Sequence, residues 1–362
     1  MVLNRGQPRR DNAGSVTRVF MGIQITVIVP TCNRKDFLTK LLSSLFQQTL
    51  PPDQYEVVVV SDGSTDGTGD LVRALQEQHP NLVLLEQRNQ GPAAARNAGA
   101  RVARGEYLAF TDDDCIASRE WLERTSRVFE RTGAGAVQGR TSTDREARSP
   151  LTNQVDNERG MYGVPTCNAA YRKGIFSAVG GFDERFPFPH NEDADLAWRA
   201  ERLGPVVFAP EVHIIHPPRR ETLWGRAYWV RYLESDFLLY AKHPEVYRQR
   251  CSASPWHTIY WRAFVVAQFG GLKSSVKYLV RPFKPRYFFQ GNALVLVRWW
   301  NLIRFYPFYL RAARRHRRAS VKHSSQPQLA VPGVLAKIGT GLNAEETAAR
   351  GTGSEQKEAG ST

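Results

Sequence analysis

The sequence has no apolar run that would cross a bilayer cleanly. "ITVIVP" (residues 25–30) is too short, and the longest apolar piece, residues 293–318, is broken by Arg298, Arg304 and Pro307. The first 20 residues hold no apolar stretch of signal-peptide kind, so export is not expected from them. There is no C-x-x-C pair. Cys32, Cys115, Cys167 and Cys251 stand far apart, and free thiols in a reducing compartment are expected rather than disulfides. There is no internal repeat, no recognised nucleic-acid motif, and no glycine- and lysine-bearing loop after the first strand pattern, where "TCNRKDF" stands instead.

What is present is enough apolar content for a packed core: 42% hydrophobic and 23% charged residues in a chain of 362. The net charge of +14 is not spread evenly. Residues 217–323 carry 21 lysines and arginines against 4 acids, so the remainder is slightly acidic. The basic region calls for an anionic partner such as a membrane surface, a phosphorylated substrate or nucleic acid.

Periodicity organises the first 218 residues. "QITVIVP", "YEVVVVSDGS", "NLVLLEQ" and "EYLAFT" read as buried strands. Between them, residues 34–48, 66–79 and 91–105 read as helices, the last with Pro92 near its start and Gly105 after its end. Strand and helix alternating at this spacing predict an α/β fold with a mainly parallel sheet and right-handed crossovers. Ligands of such sheets bind beyond the carboxyl ends of the strands. Asp62 lies just past the end of the second strand, and Asp112, Asp113 and Asp114 just past the fourth, so both carboxylate sets belong to one edge. Three adjacent carboxylates repel one another unless hydrated or matched by a cation. Hard divalent cations take such oxygen ligands together with substrate phosphates, so Mg²⁺ or Mn²⁺ beside a nucleotide is one reading and a solvated helix-capping loop the other.

"VIVPTCNR", "VVVVSDGSTDGT", "NQGPAAARNAGARVARGEYLAFTDDDC", "GGFDERF" and "NEDADLAWR", in this order over about residues 24–218, resemble the signature blocks of family 2 glycosyltransferases. That resemblance implies the GT-A fold, a Rossmann-like, mainly parallel sheet flanked by helices. It also implies an inverting enzyme that uses a nucleoside diphosphate sugar with Mg²⁺ or Mn²⁺. It places Pro30, Thr31 and Asp62 at the base, and Arg96, Asp112 and Asp113 at the nucleotide, with Arg96 either contacting the diphosphate or pairing with a pocket aspartate. It makes Asp112 and Asp114 metal ligands, with His216 as a further one, and Asn168 a polar contact in the acceptor or sugar pocket. Ser61 departs from the family, which often has an acid there. Inversion needs a base on the face opposite the leaving diphosphate. Asp193 matches it, and Glu192 is the neighbour that would orient it or hold the acceptor.

Four stretches are expected: a disordered arm at 1–22, the glycosyltransferase domain at 23–218, a helical basic and aromatic extension at 219–320, and a disordered tail at 321–362. The extension is expected either to cap the sheet or to lie as an amphipathic helix on an anionic membrane. The expected activity is sugar transfer, with UDP ahead of GDP and dTDP, to a saccharide or lipid-linked acceptor in cell-surface glycan or polysaccharide synthesis. The expected location is cytoplasmic, peripheral to the inner face of the membrane. A nucleotidyltransferase, or a non-catalytic nucleic-acid-binding protein using the basic region, are the competing readings.

Overall fold

The computed structural model describes residues 8–10, 16–18, 22–262 and 285–323. Near the start, β1 (Pro8–Arg10) pairs antiparallel with β2 (Val16–Arg18). The rest of the expected arm, and all but the first few residues of the expected tail, lie outside the described residues.

The α/β part begins with β3 (Ile25–Thr31), a strand buried at every position, followed by α1 (Lys35–Leu45). Helix α1 buries Leu38, Leu41, Leu42 and Leu45 against the sheet. These leucines recur at helical spacing, and each is worth about 1.5–3 kcal/mol when removed from water. Then come β4 (Tyr55–Asp62), α2 (Thr68–Gln76), β5 (Leu82–Gln87), α3 (Pro92–Val102) and β6 (Tyr107–Phe110). Helix α3 consists largely of small residues because it lies close on the sheet. A Cβ at Gly99 would come within 2.6 Å of Ile28 Cγ2.

The chain continues through β7 (Ile116–Ala117), α4 (Trp121–Thr132), β8 (Ala136–Ser142) and β9 (Thr152–Asn153). A 3₁₀ turn at Thr166–Asn168 leads into β10 (Ala169–Arg172), then α5 (Lys173–Ala178), α6 (Glu192–Ala200), β11 (Val206–Ile215) and β12 (Arg219–Arg220). The main sheet has eight strands in the order β5-β4-β3-β6-β10-β8-β11-β7. Pairs β3–β4, β4–β5, β3–β6 and β8–β11 are parallel. Strand β10 is wedged antiparallel between β6 and β8. The sheet is therefore mostly parallel, as the periodicity predicts, with an antiparallel insertion at β10 and an antiparallel edge strand β7 that it does not.

The extension is helical: α7 (Leu223–Tyr228), a 3₁₀ turn (Trp229–Glu234), α8 (Ser235–Lys242), α9 (Pro244–Arg250) and α10 (Pro285–His323). Leu238, Leu239 and Tyr247 join the apolar cluster of Phe110, Phe176 and Trp198 on one side of the sheet. A separate cluster of Val230, Phe237, Leu302, Phe305 and Tyr309 ties α10 to the shorter helices. Among the described residues, no helix is long and apolar enough to cross a membrane. All four cysteines are free.

Candidate active site

Strand β3 ends at Thr31, β4 ends at Asp62, β6 runs into Asp112–Asp114 and β11 runs into His216. These positions line one cleft of about 1020 Å³, roofed by the extension through residues such as Trp229, Val230, Trp299 and Leu302.

Asp62 serves the loop that leads into α3. Its carboxylate accepts Gln87 Nε2, Gln90 N and Gly91 N, each at 2.8 Å. The turn after it needs glycine. Gly63 has φ +79°, and a Cβ there would lie 2.9 Å from Asn89 N.

The three aspartates do not face one another unpaired. Asp112 accepts Arg96 Nη2 at 2.8 Å. Asp113 is buried, accepting Thr31 Oγ1 at 2.8 Å and Arg34 Nη1 at 2.9 Å. Burial pushes Asp113 up to about 6 despite Arg34. Asp114 receives Arg34 Nη1 at 3.3 Å and Arg219 Nη1 at 3.2 Å, and its other oxygen lies 3.4 Å from His216 Nε2. Among the described residues, Asp114, Cys115 and His216 bring ligand atoms within 4.8 Å of one another.

That donor set fits a divalent cation through two of its three members. A carboxylate and a neutral imidazole suit Mn²⁺, and a carboxylate alone suits Mg²⁺. The Cys115 thiol is a poor ligand for either, and burial, reinforced by Cys167, holds it well above the usual thiol range. Asp112 is not part of that cluster.

Arg96 connects this edge to α6. It is buried, and its Nη1 reaches Glu192 Oε1 at 3.4 Å while Nη2 holds Asp112. Glu192 follows Asn191 at φ +72°, a left-handed conformation that asparagine adopts more readily than most residues. Glu192 Oε2 is buried with no hydrogen-bond partner. Burial, then the adjacent Asp193 charge, pushes Glu192 up to about 7. Asp193 is half-buried and also raised by burial, with Oδ1 accepting the Ala194 N–H at 2.7 Å. Neither acid lines the cleft; Arg96, which does, stands between it and Glu192.

One sequence assignment needs correction. The structure does not bring Asn168 to the cleft. Its Oδ1 accepts Trp121 Nε1 at 2.9 Å, and its Nδ2 donates to the carbonyls of Arg140 and Val212, so its amide is consumed inside the sheet. Asp195, on α6, is fully buried, held by its i, i+4 neighbour Arg199 at 2.6 Å, by His243 at 2.9 Å and by Lys242 at 2.5 Å. Pro30, Thr31, Asp62, Arg96, Asp112–Asp114 and His216 do line the cleft. His213, on β11, pairs with Ser142 Oγ at 2.7 Å. Arg34 and Arg219, which clamp Asp114, were not foreseen. Each stands inside a quoted or adjacent stretch, "PTCNR" and "HPPRR", but its partner lies 80 and 105 residues away.

A family model described as Glycosyl transferase family 2 matches residues 26–181. The chain is 33% identical over 204 residues to glycosyltransferase AglE of Haloferax volcanii, covering 54% of this chain and 67% of that protein. It is 30% identical over 237 residues to validoxylamine A glucosyltransferase of Streptomyces hygroscopicus subsp. limoneus, covering 55% of this chain and 52% of that one. The match thus spans about two thirds of the first relative and about half of the second. Among solved structures, mannosyltransferase PcManGT of Pyrobaculum calidifontis, in complex with GDP-Man and Mn²⁺, shares 22% identity and a TM-score of 0.54 over 77% of this chain and 88% of that one. At that identity the likeness carries the fold.

Proposed function

Because the chain belongs to glycosyltransferase family 2 and has the GT-A fold, we propose that it transfers a sugar, with inversion, from a nucleoside diphosphate sugar to a hydroxyl of a saccharide or lipid-linked acceptor. UDP is the nucleotide we assign, and cell-surface glycan or polysaccharide synthesis the setting. The observation that carries this reading is the convergence of Thr31, Asp62, Asp112–Asp114 and His216 on one cleft at the ends of the sheet strands.

Asp62 shapes the base pocket by fixing residues 90–91 beside Pro30 and Thr31. Asp112 and Arg96 border the nucleotide, and Asp113 holds Arg34 in place. Asp114 and His216 would hold Mg²⁺ or Mn²⁺, with Asp112 close by; that ion would offset charge growing on the departing diphosphate. Arg34 and Arg219, which hold Asp114 here, are placed to turn toward phosphate oxygens.

Asp193 is the proposed base. It takes the acceptor hydroxyl proton as that oxygen bonds to the anomeric carbon and the bond to the diphosphate breaks. Glu192, engaged with Arg96, orients the arrangement. The domain limits, with catalysis in residues 23–218 and the cover in 219–320, belong to the same proposal. So does peripheral contact with an anionic membrane at the cytoplasmic face.

The test is calorimetric binding of UDP, GDP and dTDP with Mn²⁺ and with chelator, to wild type and Asp114→Ala. Metal-dependent binding of UDP, lost in the variant, is expected. No metal-dependent binding of any nucleotide by the folded protein would sink the reading.

A further inference from the structure

Ion pairing in the cleft is uneven. Arg34 is matched by Asp113 and Asp114, Arg96 by Asp112 and Glu192, and Arg219 by Asp114 and Glu221. Two more arginines line the same cleft, Arg226 on α7 and Arg298 on α10. Among the described residues neither has an acid within ion-pair distance. Arg226 Nη1 reaches only the neutral Asn153 Oδ1 at 3.4 Å, and its buried Nε has no partner. Glu221, whose charge reaches both, is held by Arg219 at 3.3 Å. Burial, together with Arg226, pushes Arg298 down to about 10, and burial lowers Arg226 as well. Half-buried like charges with no acid beside them are a standing cost that a bound anion removes.

Both arginines belong to the helical cover, not to the sheet edge that carries Asp62 and Asp112–Asp114. The wall around them is apolar and aromatic: Trp229, Val230, Leu233, Trp299 and Leu302. A fork of guanidinium donors set in such a wall suits a phosphate attached to a less polar body. Resting on the glycosyl-transfer reading above, we propose that Arg226 and Arg298 form an acceptor subsite for a phosphate group, so that the acceptor is a phosphate-bearing molecule. The phosphate could sit on a lipid or on a polyol.

The test uses the full-length protein and simple probes. UDP binding with Mn²⁺ is measured first, so that loss of the donor reading shows as absent nucleotide binding while the phosphate comparison still decides this one. Geranyl phosphate, geraniol and glycerol 3-phosphate are then titrated in the presence of UDP and Mn²⁺. Wild type is expected to bind geranyl phosphate at least about tenfold more tightly than geraniol, a difference that charge-assisted hydrogen bonds readily supply. Arg298→Gln and Arg226→Gln should erase that preference, and Arg298→Lys should keep part of it. Equal binding of glycerol 3-phosphate would support a polyol phosphate, and much weaker binding would support a lipid phosphate. Equal affinity for geranyl phosphate and geraniol in wild type would overturn the proposal without any variant. So would displacement of UDP by geranyl phosphate, which would assign the arginines to the donor, or a preference that survives both glutamine substitutions.

Discussion

Arg96 and Glu192, 96 residues apart in sequence, meet at 3.4 Å inside the protein, and the same guanidinium holds Asp112 at 2.8 Å. One buried cation thus links the acidic edge after β6 to the first turn of α6, the two ends of the proposed reaction. Lysine keeps the charge but cannot fork between two carboxylates. Arg96→Lys should therefore lower kcat at least about tenfold while the folded state survives, as circular dichroism would show. Arg96→Ala strands two carboxylates and should cost about 3–5 kcal/mol in urea unfolding. Wild-type kcat in the lysine variant would mean that the bridge has no part in catalysis.

The acids of α6 set a pH dependence. Burial, then the Asp193 charge, raises Glu192 to about 7, and burial raises Asp193 too. A general base works only when ionised, so kcat/KM should climb with pH and its acid limb should lie above about 4, where free carboxylates titrate. Because the two acids interact, that limb belongs to the pair. Asp193→Asn should cut kcat about 10²-fold or more without changing UDP affinity. An acid limb at or below pH 4 in initial-rate profiles would show that neither acid is the base.

The sheet strands and the helices between them were legible because β3, β4 and β6 are buried on both faces and α1 on one, which writes period and composition directly into the chain. The place of strand β10 was not legible. Nothing in "NAAYRK" tells that it runs antiparallel between β6 and β8. The same gap misled the reading of Asn168. A motif gives a residue's address, but only the packed sheet reveals that Trp121 and two carbonyls take its whole amide. Arg34 and Arg219 escaped notice because an arginine becomes informative only once its carboxylate is known. The cover's contribution to the cleft, through Arg226, Trp229, Arg298 and Trp299, escaped for a similar reason: aromatic and basic composition fits a membrane face and a pocket wall equally well.

Asp195 should govern acid stability. Burial alone would raise it, but the His243 hydrogen bond and the charges of Lys242 and Arg199 outweigh burial and hold it below the ordinary aspartate value. A depressed carboxyl contributes stability that is fully present above the unfolded-state value, near 4, and is lost as pH falls through the folded one. Asp195→Asn leaves its basic partners without their carboxylate, at an expected cost of about 3–5 kcal/mol in urea unfolding at pH 7. The gap between variant and wild type should narrow below pH 4. A constant gap from pH 7 to pH 3 would mean that the loss is one of shape rather than charge.

Helix α10 offers two faces. One packs Leu294, Leu302, Phe305 and Tyr309 inward. On the other, Phe289, Leu296, Trp300 and Ile303 fall on one side at helical spacing and are 60–70% exposed, with Arg304, Arg311, Arg314 and Arg315 exposed on the same helix. Aromatic and aliphatic side chains flanked by arginines suit the headgroup boundary of an anionic bilayer, where each basic residue adds about 1 kcal/mol. The protein should therefore float with phosphatidylglycerol vesicles at low salt and be released near 1 M salt, where the screening length shrinks to about 3 Å. Leu296→Glu with Ile303→Glu should abolish flotation and leave UDP binding intact, since neither residue lines the cleft. Flotation unaffected by both salt and this double substitution would place the contact on another face. No flotation at low salt would leave α10 as a cover for the cleft alone, and its outer stripe would then need another partner.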